Sequence, residues 1–201
     1  LRPDTLLAFD TSAAHCAAAL LSGGQVWLRC EPMDKGQAER LMPLLEELLA
    51  EAGIGWSDLA GIGVGTGPGN FTGVRISVAA ARGLALGLGI PAIGVTRLEA
   101  LAHRLPRPIT VIEDARRGEA YVQEFAAEPG PARLTPLPVA VAGAVTGSAA
   151  PDGLPSALPL AQAVAEIALS RLSTPQPRPA PFYLRGADAA PPSDPPPVIL
   201  P

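Results

Sequence analysis

The residues most able to do chemistry lie at the ends of short apolar runs. Asp10, Thr11 and Ser12 close the first run, and Asp114 closes another in the second half. Gly65 to Gly73 read G-T-G-P-G-N-F-T-G between an apolar run (Ala60, Ile62, Val64) and a long segment of small residues. Each acid precedes a turn that hands the chain to an antiparallel neighbour. Two such hairpins facing across a cleft can hold phosphates on their turn N–H groups while the acids hold a magnesium ion through water. In the glycine loop, Gly65, Gly67 and Gly69 permit positive φ and close backbone approach, Pro68 sets one turn residue, and Asn70 or Thr72 can cap the following helix. Free N–H groups at that helix start, with Arg75 one turn in, attract an anion or a partner's carboxylate. Each feature also has a structural reading. Asp10 and Asp114 can be strand-end turn formers, the glycines a tight connection, and Arg75 the partner of an acid in its own domain. The residues alone leave these pairs open.

The bulk numbers narrow the choices. A chain of 201 residues makes one large or two small domains, each able to bury a core. A formal charge of −4 and a pI near 5.2 argue against an independent nucleic-acid or anionic-membrane binder, which needs a basic face. Arg29, Glu31, Arg75 and Arg82 interrupt the apolar stretches before any reaches the length of a bilayer span, and the first residues do not resemble a signal peptide. The expectation is a soluble, cytoplasmic protein without a membrane partner. Cys16 and Cys30 are the only cysteines, and with His15 and His103 they offer no zinc spacing. Both histidines read as surface residues, and Trp27 and Trp56 as packing residues.

These residues are positioned by a regular succession of elements. Thr5 to Asp10, Cys16 to Leu21 and Gln25 to Cys30 predict three strands of a meander. If Leu21 opposes Val26 across the Ser22 to Gln25 turn, Cys16 faces Glu31 and Cys30 faces Ala17, so the thiols sit on opposite sheet faces, buried and reduced. Gln37 to Ala52 carries Leu41, Leu44, Leu45, Leu48 and Leu49 at the spacing of an amphipathic helix, stopped by Gly53. A strand at Ala60 to Val64, a helix from Thr72 to Leu88, a strand at Ala92 to Val95 and a helix from Thr96 to Arg104 complete a βββαβαβα order. From Ile109 the pattern restarts in reduced form. Strands are predicted at Ile109 to Glu113 and Ala120 to Phe125, an apolar stretch near Val139 to Val145, and a helix over Leu160 to Leu172. Nineteen of the 24 prolines follow residue 105, which makes these connections stiff and the elements short. The expected division is a first lobe over 1–105, a smaller one over 106–185, and an unpacked Pro-rich tail over 186–201.

At this point the chain resembles a known family, the TsaB (YeaZ) proteins of tRNA threonylcarbamoyladenosine synthesis. The resemblance rests on A-F-D-T-S at Ala8 to Ser12, E-R-L-M-P-L-L at Glu39 to Leu45, G-P-G-N-F-T-G-V-R-I at Gly67 to Ile76 and G-L-A-L-G at Gly83 to Gly87. It continues with I-G-V-T at Ile93 to Thr96, D-A-R-R-G-E-A-Y at Asp114 to Tyr121 and P-F-Y-L-R at Pro181 to Arg185. It implies an α/β fold of the actin-like ASKHA (ribonuclease H-like) kind, with two lobes of mixed sheet flanked by helices. It also implies a non-catalytic scaffold that pairs with TsaD, the enzyme that modifies the adenosine beside the anticodon, and recruits the ATPase TsaE. A homodimer is implied in isolation, with tRNA met only through the complex. No cofactor of its own is implied, ATP or Mg entering only with the assembled complex. Asp10, Thr11, Ser12, Gly67, Gly69, Asn70, Asp114 and Arg116 then mark a vestigial nucleotide or anion site. Gln37 stands where many relatives carry histidine, and the turn Ser12 to His15 lacks the glycine of an active phosphate hairpin. The alternatives are an ATP-dependent phosphotransferase of the same superfamily, or a metal-dependent peptidase, for which the sequence offers no ligand set.

The segment Val74 to Leu88 is apolar nearly all round, with only Arg75 and Arg82 charged, so a partner is expected to cover part of it. The expected interface is Leu41, Met42, Leu45, Leu48 and Leu49 on one helix with Val74, Arg75, Val78, Ala81, Arg82 and Ala85 on the next. Family resemblance points to the same pair of helices; both being core is the plainer reading. Arg116 and Arg117 are placed on a turn facing the cleft, the partner or solvent. Tyr183 and Arg185 are expected to dock back on the body.

Overall fold

The computed structural model describes residues 4–186. Fifteen of the sixteen tail residues, 187–201, lie outside the described residues. The first sheet has five strands in the order β3-β2-β1-β4-β5, where β1 is Leu6–Asp10, β2 His15–Ser22, β3 Gln25–Pro32, β4 Gly61–Gly65 and β5 Ala92–Val95. β1 runs antiparallel to β2 and parallel to β4. Helices α1 (Gln37–Ala52) and α2 (Phe71–Leu88) join its strands. The short α3 (Arg97–Ala102) leads to a second sheet, β8-β7-β6-β9, built from β6 (Ile109–Asp114), β7 (Glu119–Phe125), β8 (Arg133–Pro136) and β9 (Ala144–Thr146). The chain closes with α4 (Leu160–Arg171).

β1 is wholly buried because helices cover both faces of its sheet. Its alternation divides the core. Leu7 and Phe9 join the leucines of α1 and Val74, Val78 and Ala81 of α2, while Leu6 and Ala8 face α4. Residues 160–172 fall within the expected second lobe, yet α4 packs on β1, β2 and β4 of the first sheet. That return is possible because β4 omits side chains where α4 crosses. A Cβ on Gly63 would stand 2.9 Å from that of Ala168, and one on Gly61 2.5 Å from Leu172 Cδ1.

The β2–β3 register is the expected one, with Leu21 opposite Val26 and Cys16 opposite Glu31. Both thiols are free, but only Cys16 is buried; Cys30 is exposed, a correction. It lies on β3, the edge strand of the sheet. Burial first, and the nearby Glu31 carboxylate second, push the Cys16 thiol up to about 11, which leaves it unreactive at neutral pH. Two further differences concern the second half. β8 was not expected, and of the apolar stretch 139–145 only Ala144 and Val145 enter a strand.

The α2 helix meets a length and composition test for crossing a membrane, yet its inner face is part of the core. Its interior glycines divide by face. A Cβ on Gly73 would stand 1.9 Å from the Thr11 carbonyl oxygen, whereas one on Gly83 or Gly87 would meet nothing within 4 Å. Gly73→Ala should therefore cost about 1–3 kcal/mol of stability, as overpacking does. Gly83→Ala should raise stability by about 0.5–1 kcal/mol through helix propensity alone. Urea unfolding of dilute protein checks both, and equal signs would contradict the packing described.

Candidate functional site

The end of β1, the glycine loop and the start of α2 are locked together backbone to backbone. Asn70 N donates to the Ser12 carbonyl at 2.6 Å, Thr11 Oγ1 donates to the Gly73 carbonyl at 2.6 Å, and Asn70 caps α2 by accepting from Gly73 N. A Cβ on Gly69 would stand 2.3 Å from the Ser12 oxygen. Gly69 and Gly73 therefore give room to protein backbone rather than to a phosphate. Gly67, with φ +87°, turns the chain beside Phe182 and Val74.

Above this junction a cleft of about 660 Å³ separates the two lobes. Ser12, Gly69, Asn70, Asp114 and Arg116 line it, so the fold gathers most of the expected anion site. Thr11 is buried beneath, and the two acids are not equivalent. Asp114 is exposed, accepts from Arg116 N at 2.8 Å and acts as a turn former. Asp10 is fully buried. Its Oδ1 accepts from Ser12 N (3.0 Å), Ser12 Oγ (2.9 Å) and His15 Nε2 (2.9 Å), while Oδ2 has no partner among the described residues and lies against Gly65. His15 is thus no surface residue but the neighbour of the buried acid. His103 is likewise partly buried, 3.0 Å from Glu166 on α4.

Burial pushes the Asp10 carboxyl up. The hydrogen bond to His15, the charges of Arg97 and His15, and the Ser12 N–H outweigh it, holding the pKa below the usual aspartate range. Arg97 and Glu113, which sequence reasoning missed, span the cleft. Arg97 Nε and Nη2 donate to Glu113 Oε1 at 2.9 and 2.6 Å, and Glu113 Oε2 accepts from Ser148 N. A charged pair at the ends of a buried strand and a short helix was the available signal. The donors fit a resident divalent ion poorly. Asp10 Oδ1 is already saturated, Arg97 places a cation beside Glu113, and among the described residues no three His, Cys, Asp or Glu side chains converge. Gln37, also in the cleft wall, donates to the Met33 carbonyl.

The expected helix interface requires a correction. Leu41, Leu45, Leu48, Leu49, Val74, Val78, Ala81 and Ala85 are buried in the chain's own core, which leaves them little surface for a partner. Met42 and Arg82 are partly buried and Arg75 is exposed. The open face of α2 instead carries Thr72, Arg75, Ala79, Gly83, Leu86 and Gly87, at three- and four-residue spacing, and Leu86 is 78% exposed. Arg75 pairs with no acid among the described residues. Its guanidinium lies 3.7 Å over the Phe71 ring, and Nε donates to Tyr183 Oη at 3.0 Å. Tyr183 and Arg185 do dock back on the body. Phe182 N donates to Thr66 O on the first lobe, and Arg185 bonds Glu119 on the second, so this strap ties both lobes.

Fold and cleft define the class: a two-lobed α/β protein of the actin-like ASKHA kind. Residues 31–132 match the family described as TsaD, tRNA N6-adenosine threonylcarbamoyltransferase. YeaZ from Pseudomonas aeruginosa superposes with a TM-score of 0.73 at 32% identity, covering 90% of this chain and 100% of that one. The tRNA threonylcarbamoyladenosine biosynthesis proteins TsaB of Haemophilus influenzae and Escherichia coli are each 36% identical, over 62% and 60% of this chain. The chain belongs to the TsaB (YeaZ) family. It spans about half the length of these curated relatives, 55% and 54%.

The buried carboxylate gives a pH test. A depressed folded-state pKa contributes stability above the unfolded value, about 3.9, and loses it as pH falls through the folded one. Asp10→Asn should lower stability by about 1–3 kcal/mol at pH 7, with the gap to the parent closing below about pH 3.9. Urea melts at pH 7, 5 and 3 check it; a constant gap would mean that Asp10 is folded in its neutral form.

Proposed function

We propose that this chain is the non-catalytic scaffold subunit of a cytoplasmic machinery that makes N6-threonylcarbamoyladenosine in tRNA. It pairs with a TsaD-type transferase through the open face of α2, helps recruit TsaE, and forms a homodimer through the same face when TsaD is absent. It carries no cofactor of its own, ATP or Mg entering with the complex, and it meets tRNA within that complex.

The observation that carries this reading is the two-sidedness of α2. Its inner stripe is spent on the core, while on the outer stripe Ala79 is exposed, a Cβ on Gly83 or Gly87 would meet nothing within 4 Å among the described residues, and Leu86 is 78% exposed. Glycine in a helix interior lowers stability without a local return, and an exposed leucine beside it adds apolar surface that a second helix can cover. Small residues let that helix approach closely. The closed glycine loop supports the non-catalytic part, because Asn70 N and Gly73 N are already engaged.

The test is co-purification with TsaD and reconstitution of tRNA modification. Ala79→Arg and Leu86→Glu, both at exposed sites, should abolish the complex and the modification that depends on it. The circular dichroism spectrum should stay unchanged. Leu45, fully buried, is unsuitable because its replacement would unfold the chain. A complex retained by both variants would overturn the assignment. The phosphotransferase alternative draws on the unpartnered Asp10 Oδ2; Mg-ATP turnover by the isolated chain would favour it instead.

A further inference from the structure

At the N-terminal end of α2, beside its open face, lies a second cavity of about 580 Å³. The chain has only two tyrosines, four phenylalanines and two tryptophans, yet both tyrosines and two phenylalanines line this one place: Phe71, Tyr121, Phe182 and Tyr183. Phe71 and Tyr183 are the exposed aromatics among the described residues, at 38% and 39%, and they touch, with ring centroids 5.0 Å apart and planes 31° from parallel. Arg75 Cζ lies 3.7 Å from the centroid of Phe71, and its Nε donates to Tyr183 Oη. Its terminal nitrogens carry no protein partner among the described residues.

Two exposed rings and a fixed guanidinium make a shelf for a flat π-system with an anionic group next to it. The shelf is continuous with the interlobe cleft, since Pro68, Gly69, Tyr121 and Arg185 line both cavities. Along that route Arg116 is 84% exposed, on a turn that holds Arg116 and Arg117 at φ +65° and +56°. Arg116 meets Asp114 Oδ2 only at 3.9 Å, a long and exposed pair that leaves its charge able to meet a phosphate.

We propose that this shelf is a stacking site for an unpaired nucleotide of single-stranded RNA, with Arg75 on its phosphate and the Arg116 turn on the strand beyond. The exposure of the rings and the run of the shelf into the cleft favour a strand over a free nucleotide, which an enclosed pocket would suit better. The proposal goes beyond the scaffold reading and rests on it only for the choice of RNA as the source of the base. The contact is direct, made by this subunit itself.

The experiment titrates the full chain with a fluorescein-labelled 17-nucleotide RNA hairpin bearing a seven-nucleotide loop, following anisotropy. A fully paired RNA of equal length and AMP serve as comparison and competitor. The hairpin should bind about tenfold more tightly than the duplex. Phe71→Leu and Tyr183→Leu, which keep apolar bulk but remove the π-face, should each weaken it about tenfold while leaving the thermal unfolding midpoint within a few degrees. If either variant fails to fold, photocrosslinking of a 4-thiouridine-substituted loop to the parent chain, mapped by mass spectrometry, replaces it; the expected adducts are at 71 or 183. Equal binding of hairpin and duplex, indifference to both substitutions, adducts elsewhere, or displacement by AMP at hairpin-like concentrations would each overturn the proposal. The last result would mean a mononucleotide site. None of these outcomes touches the TsaD co-purification test, so the two readings fail separately.

Discussion

The fold hangs on one steric constraint, the contact of α2's first turn with the end of β1. Gly73 has no room for a methyl group against the Thr11 carbonyl, and Gly69 has little more against Ser12. Because both partners are backbone, neither can move aside without breaking β1, which pairs with two strands and lies under helices on both faces. Three consequences follow from the same contact. It fixes the pitch of α2 on the sheet, and so which residues of α2 face outward. It uses the N–H groups that a phosphate would need. And it places the Ser12 turn at the floor of the cleft, with Asp10 behind it.

Asp10 shows how the junction is stabilised electrostatically. A buried carboxylate is costly unless its charge is answered. Here three donors from Ser12 and His15 bond one oxygen, while the Arg97 charge adds to them. Arg97 also holds Glu113 of the second sheet. The buried acid, the arginine and the second lobe are therefore one connected system. The strap at 182–185 repeats the link on the other side, from Thr66 to Glu119. Two ties therefore cross the one cleft, Arg97 to Glu113 and the 182–185 strap.

The sequence was most legible where a repeat is enforced by burial on a known side. The β2–β3 register follows from alternation, because a one-residue slip would turn Leu21 and Ala19 away from α4. Helix α1 is bounded by Gly53 in the left-handed conformation and by its leucine spacing, both local signals. Failures came where the deciding information is distant. β8 is four residues containing an arginine and a proline, a strand only because β7 offers it an edge. The return of α4 to the first sheet is visible only once Gly61 and Gly63 are seen to make room for it. His15 meets Asp10 across a turn whose path apolar spacing does not reveal. The interface residues were chosen for being apolar, which in a covered helix selects the core stripe.

Helix α2 has two different sides. Composition makes the helix look uniform, yet its two sides answer to opposite demands. On the inner side Gly73 is required by contact, and valine and alanine are set by the distance to the sheet. On the outer side Gly83 and Gly87 have open space, so neither packing nor strain accounts for them, and the fold would be at least as stable with alanine there. Among the described residues, nothing in the chain's own packing calls for glycine at either position. The aromatic shelf begins where this outer stripe begins, at Phe71 and Arg75. A single helix therefore carries both the outward stripe with Leu86 and, at its first turn, the exposed ring of Phe71.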